Sequence, residues 1–284
     1  MKDIEKIQIQ LNNKLNRIER MGLSNIDKNY KKILDDLRIS IAKLYEKYEV
    51  NGQLTYDEMV KYNRLQKIDK EVYDKVLELY GENSKVIRGT LQGITRETYT
   101  NTIAAVNKSA DKRIKGIVKD LPVADIVNED MKGLKWTERM GKHRSDVIYD
   151  IQKEIKAGLR EGDTYSTMTK RLKKRLETDN DVNIKTIVRT ESHKVKAAAK
   201  EESFNRIEKA GVKFKEKWLT ADDVRVRGND PNDKSNHVKM HGVTIERGEK
   251  FILPSGVECT GPGDPSLPAS EIINCRCIKI LELE

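Results

Sequence analysis

Two of the three cysteines lie one residue apart, in the stretch EIINCRCIKI close to the C-terminus. In an extended strand, residues i and i+2 point to the same face, so Cys275 and Cys277 would present both thiols together. A disulfide between them would close a very tight ring, far from ordinary bridge geometry. Two thiols on one face instead match half of a tetrahedral zinc site.

The remaining ligands of such a site would have to come from upstream, where the candidates are His237, His241 and Cys259. The i, i+4 spacing of the histidines suits a shared metal if that segment is helical. Its flanking residues, Asn236 and Gly242, favour a loop instead, and a loop would let only one histidine face inward. The alternative is that the cysteines are small buried hydrophobic residues and the histidines are exposed. The residue pattern alone leaves both interpretations open.

Known catalytic signatures are absent from the sequence. There is no H-x-E with P-C-x-x-C of zinc deaminases, no H-E-x-x-H of zinc proteases, no Walker A motif and no G-x-G-x-x-G. We therefore expect no enzymatic activity. The alternative is a metal-dependent nuclease or other enzyme built on the C-terminal cysteines, His237 and the acidic residues Glu191, Asp222 and Asp223.

The predicted secondary structure that positions these residues changes along the chain. Five of the six prolines and all three cysteines lie beyond residue 230, so the earlier part favours helices and the last quarter favours turns and short strands. Apolar residues from Ile4 to Ile18 recur at helical spacing and predict a first helix ending at Gly22. A second helix is predicted to run from Tyr30 to Tyr48 and to stop before Asn51–Gly52.

A capping box of Thr55 and Glu58 predicts the start of a third helix, which would end at Gly81. A fourth helix, over about 83–118, would be kinked or split at Gly89 and Gly93. Further helices are predicted over 124–131, from Thr137 to about Gly158, after a cap at Thr164 or Ser166, and over 183–209. Beyond Gly211, the alternation in VKFKEKWLT and short apolar pieces at 243–245, at 250–254 and at the C-terminus predict strands.

These patterns predict an α+β protein: long N-terminal helices, followed by a helical region that carries a small β-rich C-terminal module. Leu121–Pro122 marks the predicted boundary between an N-terminal helical domain, 1–121, and a second domain, 122–284. The second domain would contain helices over 124–209 and the β-rich module over 211–284.

The net charge of +9 favours polyanionic partners, with nucleic acid first. The densest basic run is on a predicted helix and has no interleaved aromatic residues, so it predicts non-specific contact with duplex phosphates rather than base stacking. A solvated helix face is the alternative. The run consists of Lys170, Arg171, Lys173, Lys174 and Arg175. Neither a membrane span nor a secretion signal is recognisable, which favours synthesis in a bacterial cytoplasm.

Several segments in the last half of the chain together resemble one family. In order they are Trp136-Thr-Glu-Arg-Met, AGLREGDTYS, VRTES, KWLTADDVRVR, the His237-x3-His-Gly segment, GPGDPSLPA and INCRC. This combination, over about residues 130–280, is similar to the phage Mu F-type minor head protein, or phage head morphogenesis, family. His241 departs from that pattern, because relatives usually carry an acidic or amide residue there.

The resemblance implies a low-copy internal head component of a tailed double-stranded DNA phage. Such a protein would be made in the host cytoplasm and end inside the virion head. Its implied partners are the portal protein, a scaffold or major capsid protein, and double-stranded DNA, without a membrane. The resemblance also implies zinc or another structural cluster joining His237 to Cys275 and Cys277. The other matched positions are Arg189, Thr190, Glu191, Trp218, Asp223, Arg225, Arg227, Gly242 and Pro265. The predicted structural cluster consists of Arg189, Glu191, Trp218, Asp223, Arg225 and Arg227.

Overall fold

The computed structural model describes residues 2–284, with side chains from Ile4 onward. Its long N-terminal helices and small module of antiparallel strands confirm the predicted α+β class. In the described part of the chain the α-helices are α1 (Lys2–Tyr48), α2 (Tyr56–Val60), α3 (Arg64–Ala110), α4 (Val123–Asn128), α5 (Trp136–Glu161), α6 (Tyr165–Thr178), α7 (Lys185–Lys209) and α8 (Ala269–Ile272). The strands are β1 (Phe214–Leu219), β2 (Thr244–Glu246), β3 (Phe251–Ile252), β4 (Glu258–Cys259) and β5 (Ile278–Leu283).

The first helix does not end at Gly22, and this prediction was wrong. Helix α1 continues to Tyr48, because buried residues such as Leu15, Ile26 and Ile33 keep one apolar stripe in phase along it. A glycine inside a helix costs only about 1 kcal/mol relative to alanine, which such packing can offset. The predicted stop is confirmed: Asn51 and Gly52 both have positive φ, at 52° and 78°.

Glycines also fail to end or split the next long helix. Gly81, Gly89 and Gly93 all lie inside α3, so the predicted end at Gly81 and the predicted break at the other two were wrong. The capping of α2 is as predicted, since Thr55 Oγ1 accepts a hydrogen bond from the Glu58 backbone N–H at 3.3 Å. The interruption lies instead at Tyr62 and Asn63, whose positive φ values separate α2 from α3.

The later helices follow the predictions more closely. Helices α4, α5 and α7 fall on the predicted segments, and Thr164 caps α6. A π-helical segment, Asp179–Ile184, joins α6 to α7. The four-residue helix α8 lies in the segment predicted to be β-rich.

The chain forms two compact units, each assembled from separate segments. Unit 1 consists of Met1–Met21, Arg88–Trp136 and Thr186–Glu284, and unit 2 of Gly22–Ile87 and Thr137–Lys185. Both units contain segments from either side of residue 121. The predicted domain boundary at this position stays a prediction.

Unit 2 is all-helical and contains one buried carboxylate with several donors. Tyr30 and Tyr80 donate hydroxyl hydrogen bonds to Asp179 Oδ2, at 2.6 and 2.7 Å. The Asn183 amide donates to Asp179 Oδ1 at 2.9 Å. Burial, followed by the Asp179 charge, raises the pKa of both phenols. These bonds fix the start of the π-helical segment against two helices of its own unit.

Unit 1 contains the β-rich module. Strands β2, β1 and β5 form an antiparallel sheet in that order, and β3 pairs with β4. Gln8 on α1 covers the free edge of β5: its side-chain amide donates to Leu281 O at 2.9 Å and its Oε1 accepts from Leu281 N at 3.0 Å. This side chain therefore occupies the backbone groups that an exposed edge strand would offer to another chain.

A buried ion network ties this sheet to α7. Lys279 Nζ on β5 lies 2.7 Å from Glu216 Oε2 and 2.8 Å from Glu201 Oε2, and donates to Thr260 O at 2.9 Å. Arg247 pairs with the same two carboxylates. The alternation predicted for β1 is confirmed, and Glu216 lies on its buried face because these cations neutralise it.

None of the helices in the described part of the chain combines the length and the apolarity needed to span a bilayer.

Lys200, on α7, gives the stability of the protein a pH dependence. Its Nζ donates to Lys279 O at 2.7 Å, and burial, followed by the positive charges of Lys279 and Lys196, lowers its pKa to about 7. In the unfolded chain a lysine titrates near ~10.4. Between these two values the unfolded state binds a proton that the folded state does not, so the free energy of unfolding rises with pH.

We predict that Lys200→Met removes this rise. Relative to the variant, the free energy of unfolding of the wild-type chain should rise by about 1.4 kcal/mol per pH unit between about pH 7 and pH 10. Below about pH 7 the difference between the two chains should not change with pH. Urea unfolding across this range measures it, with Lys209→Met as the control because Lys209 is exposed. Parallel pH profiles for the wild type and Lys200→Met would contradict the prediction.

Candidate metal centre

The two C-terminal cysteines and one histidine meet in the core of the β-rich module. His237 precedes the 3-10 turn Val238–Met240, and its backbone N–H donates to Arg227 O at 2.8 Å. Cys275 and Cys277 directly precede β5, after a turn at Asn274 with φ of 57°. Gly242, at φ of 80°, returns the chain to β1, donating its N–H to Trp218 O at 2.8 Å.

His237 lies at equal distance from both thiols. Its Nδ1 is 3.5 Å from Cys275 Sγ and 3.5 Å from Cys277 Sγ. Among the residues whose side chains are described, these three form the group whose ligand atoms all lie within 4.8 Å of one another. All three residues are buried, at 1%, 6% and 3% exposure for His237, Cys275 and Cys277, and the cysteines are free.

The other nitrogen of the imidazole faces a buried carboxylate. His237 Nε2 lies 2.7 Å from Glu271 Oε2, and Ser255 donates to Glu271 Oε1 at 3.1 Å. Glu271 is on α8, so this short helix fixes the orientation of the ring. The indole of Trp218 packs edge-on against the imidazole, with ring centroids 5.6 Å apart. Phe251 also packs edge-on against the same indole, with ring centroids 5.4 Å apart.

The four polar groups of the centre strongly affect each other's protonation. The hydrogen bond with Cys277 is the largest cause that lowers the pKa of Cys275, and His193 and His237 add to it against the effect of burial. The same bond and burial raise the pKa of Cys277. Burial opposes protonation of His237, but Cys275 and Glu271 raise its pKa overall. The pKa values of the two thiols are therefore shifted in opposite directions, lowered for Cys275 and raised for Cys277.

His241 and Cys259 lie outside this group. The His241 side chain is exposed, and its Nδ1 is 2.8 Å from Thr220 Oγ1. Only one histidine of the pair faces inward, as expected for a loop. Cys259 is buried on β4 opposite Phe251, and burial raises its pKa to about 11. It belongs to the same hydrophobic core as the two C-terminal cysteines but not to the group of ligand atoms.

The residues of the predicted structural cluster have different surroundings. Trp218 is fully buried beneath the centre, whereas Arg189 is exposed on α7. Glu191 is fully buried and pairs with Lys194 at 2.8 Å. Arg225 is exposed beside Asp223, at 3.5 Å. Arg227 donates to Ile273 O, which holds the loop before His237 against the turn that leads to Cys275.

Sequence reasoning missed two residues that support the centre: Glu271, which contacts His237, and Arg276, which lies between the two cysteines in the sequence. The guanidinium of Arg276, between the two cysteines, makes a bidentate pair with the Asp223 carboxylate, one bond being 2.6 Å long. This pair, together with the Arg225 backbone N–H, lowers the pKa of Asp223. It fastens the loop 221–236 to the Cys-Arg-Cys segment. The predicted C-terminal strand was wrong at its start: Cys275 and Cys277 lie before β5, which begins at Ile278.

A groove of about 820 Å³ in unit 1 runs past one edge of the centre. Cys275 and Arg276 form part of its wall, together with residues of α1 and α7. Its charged lining is mixed: Arg20, Arg189, Lys196 and Arg225 face Glu5, Glu19 and Asp222.

The predicted DNA-contact residues on α6 divide into two sets. Lys170, Lys173 and Lys174 are exposed. Arg171 pairs with Asp163 at 2.6 Å and also with Glu154 and Glu161, and Arg175 pairs with Asp150 at 2.5 Å. The two arginines therefore support packing within unit 2, whereas the three lysines are exposed, with Lys173 lying 3.6 Å from Glu177.

We predict that Arg276→Met loosens the loop 221–236 because the Asp223 clamp is lost. Proteinase K should then cut within this loop several times faster than in the wild-type chain, as read by mass spectrometry of the fragments. Arg225→Met is the matched control, since Arg225 is exposed and only flanks Asp223. Equal cleavage rates for Arg276→Met and the control would show that the pair does not hold the loop.

Comparison with known proteins finds a family match in the C-terminal part of the chain and similarity to a minor head protein over nearly its whole length. Residues 149–280 match the family described as Phage Mu protein F like protein. The chain is 28% identical over 281 residues to minor head protein GP7 of Bacillus phage SPP1, covering 98% of this chain and 87% of that protein. It is 22% identical over 273 residues to the NAD(+)--arginine ADP-ribosyltransferase EFV of Enterococcus faecalis, covering 94% of this chain but 53% of the enzyme.

An uncharacterized protein, YqbB of Bacillus subtilis, is 24% identical over 179 residues, which are 61% of this chain and 55% of YqbB. No solved structure matches the chain significantly. The resemblance found in the sequence is confirmed: residues 149–280 of this chain match the Phage Mu protein F like family.

Proposed function

We propose that this chain is a minor head protein of a tailed double-stranded DNA phage. It would act in head morphogenesis in the host cytoplasm, at the portal, and remain inside the head of the virion. The observation that carries the proposal is the similarity to minor head protein GP7, which extends over 98% of this chain. That alignment includes the N-terminal helices, which lie outside the family match at 149–280.

The proposed partners are protein surfaces and DNA. Portal protein is the first candidate, with scaffold or major capsid protein as others, and the support for these is the family alone. Contact with packaged DNA is supported by the net charge of +9 and by the three exposed lysines of α6. Such contact would be non-specific, because lysines neutralise phosphates without reading bases.

We propose a structural rather than an enzymatic role. The similarity to the ADP-ribosyltransferase covers only 53% of that enzyme, so nearly half of it has no counterpart in this chain. The acidic residues considered for a nuclease are largely engaged: Glu191 pairs with Lys194, and Asp223 with Arg276. Cleavage of plasmid DNA by the purified chain with divalent metal would contradict this part of the proposal.

Quantitative mass spectrometry of purified phage particles from the strain encoding this chain tests the head role. We expect a few copies per particle, together with cross-links between this chain and the portal protein in precursor heads. The major capsid protein of the same particles gives the internal scale. If the chain is missing from both mature particles and precursors, the head role is wrong.

A salt titration of DNA binding tests the lysines of α6. We predict that Lys170→Ala with Lys173→Ala and Lys174→Ala weakens duplex binding and reduces the slope of log affinity against log salt by about 0.9 per lysine that contacts phosphate. The matched control replaces Lys31, Lys43 and Lys67, which are equally exposed and change the net charge by the same amount. If both triple variants bind alike, α6 is not the contact surface.

A further inference from the structure

We propose that His237, Cys275 and Cys277 bind one Zn²⁺ ion as its three protein ligands, and that a water molecule takes the fourth position. This inference is independent of the head role, since it concerns only the chemistry of the centre. It differs from the sequence prediction, which drew on His241 and Cys259 as well.

The two distances between the histidine nitrogen and the sulfurs fit a tetrahedral ion. Zinc binds sulfur at about 2.3 Å and nitrogen at about 2.0–2.1 Å, so tetrahedral angles place nitrogen and sulfur ligands about 3.5 Å apart. His237 Nδ1 is 3.5 Å from each of the two sulfurs. Two thiolates and an imidazole are also the donor types that select zinc over hard cations such as Mg²⁺.

The free lone pair of His237 faces both sulfurs. Because His237 Nε2 donates its proton to Glu271, the neutral ring keeps a single lone pair, on Nδ1. That nitrogen lies 3.5 Å from each of the two sulfurs. A metal ion bound between them contacts all three atoms at once.

The surroundings supply the support that metal-bound histidines ordinarily have. A ligating histidine usually donates its second N–H to a carboxylate or carbonyl, which fixes its tautomer and orientation. Glu271 does this at 2.7 Å and is itself held by Ser255. Two thiolates neutralise the charge of Zn²⁺, and Arg227 is close enough to influence both His237 and Cys277, which offsets the charge of Glu271.

The fourth ligand is assigned to water because the described side chains around the centre supply three ligand atoms. Structural zinc sites generally have four protein ligands, whereas sites with three keep a position for an external ligand. Cys275 forms part of the wall of the 820 Å³ groove, which gives solvent a route to the centre. The other two candidate ligands are not needed, since Cys259 packs on β4 and His241 contacts Thr220.

Metal analysis of the full-length chain, purified without chelator and under reducing conditions, tests the stoichiometry. We expect one zinc per chain, falling to less than about a tenth in His237→Ala, Cys275→Ser and Cys277→Ser. His241→Ala and Cys259→Ser are the matched controls and should keep the full content. A wild-type chain without stoichiometric metal, even after incubation with Zn²⁺, overturns the proposal, as does a Cys275–Cys277 disulfide in the freshly isolated protein.

Cobalt substitution of the wild-type chain tests the ligand set without any variant, so the proposal stays falsifiable if a substitution unfolds the module. The absorption spectrum should show tetrahedral Co²⁺ with thiolate charge-transfer bands, and added azide or cyanide should shift it by replacing water. A spectrum unaffected by these anions, together with metal loss in Cys259→Ser, would show a closed site with four protein ligands and overturn the open position.

Glu271→Gln tests the role of the carboxylate as a positioning residue. Competition with a chromophoric chelator should give a zinc affinity 10–100-fold lower than that of the wild type. The control, Glu258→Gln, changes an exposed carboxylate in the same module and should leave the affinity unchanged. Equal affinities for the wild type and Glu271→Gln would show that the second nitrogen of His237 does not require this partner, and would overturn the assigned geometry.

Discussion

Burial of polar groups in the core of the β-rich module is the constraint on which the rest of that module depends. An imidazole, a carboxylate and two thiols lie among Trp218, Phe251 and other apolar side chains, where unpaired polar atoms would be costly. Three short elements bring these groups together. The turn at Asn274 positions the cysteines, the 3-10 turn after His237 positions the imidazole, and α8 positions Glu271.

Pairing of buried polar groups also stabilises the short strands of the module. The sheet has three strands, and polar contacts join it to helices of unit 1. Lys279 and Arg247 neutralise Glu216 beneath the sheet, and Gln8 occupies the edge of β5. The Gln8 contact and the pairs that Lys279 and Arg247 make with Glu201 join the module to helices far away in the sequence.

The sequence predicts the elements of this protein better than it predicts the partners within the centre. Apolar periodicity locates most of the helices, but Gly22 and Gly81 were wrongly taken as ends because a single glycine costs a helix little when its apolar stripe continues. The C-x-C spacing and His237 were recognisable as potential ligands before their geometry was known. Glu271 was not, because it lies on a four-residue helix without a periodic pattern, and its role depends on tertiary placement. Likewise, nothing in KRLKKR distinguishes the two arginines that pair within unit 2 from the three lysines that remain exposed.

The central claim is that a bound metal joins the His237 segment to the Cys275–Cys277 segment of the β-rich module. Hydrogen exchange with mass spectrometry tests it most directly, comparing the full-length chain before and after removal of metal under reducing conditions. The account predicts faster exchange in the peptides that contain His237 and the two C-terminal cysteines, with the amides of unit 2 unchanged. Identical exchange in the two samples throughout the module would contradict it.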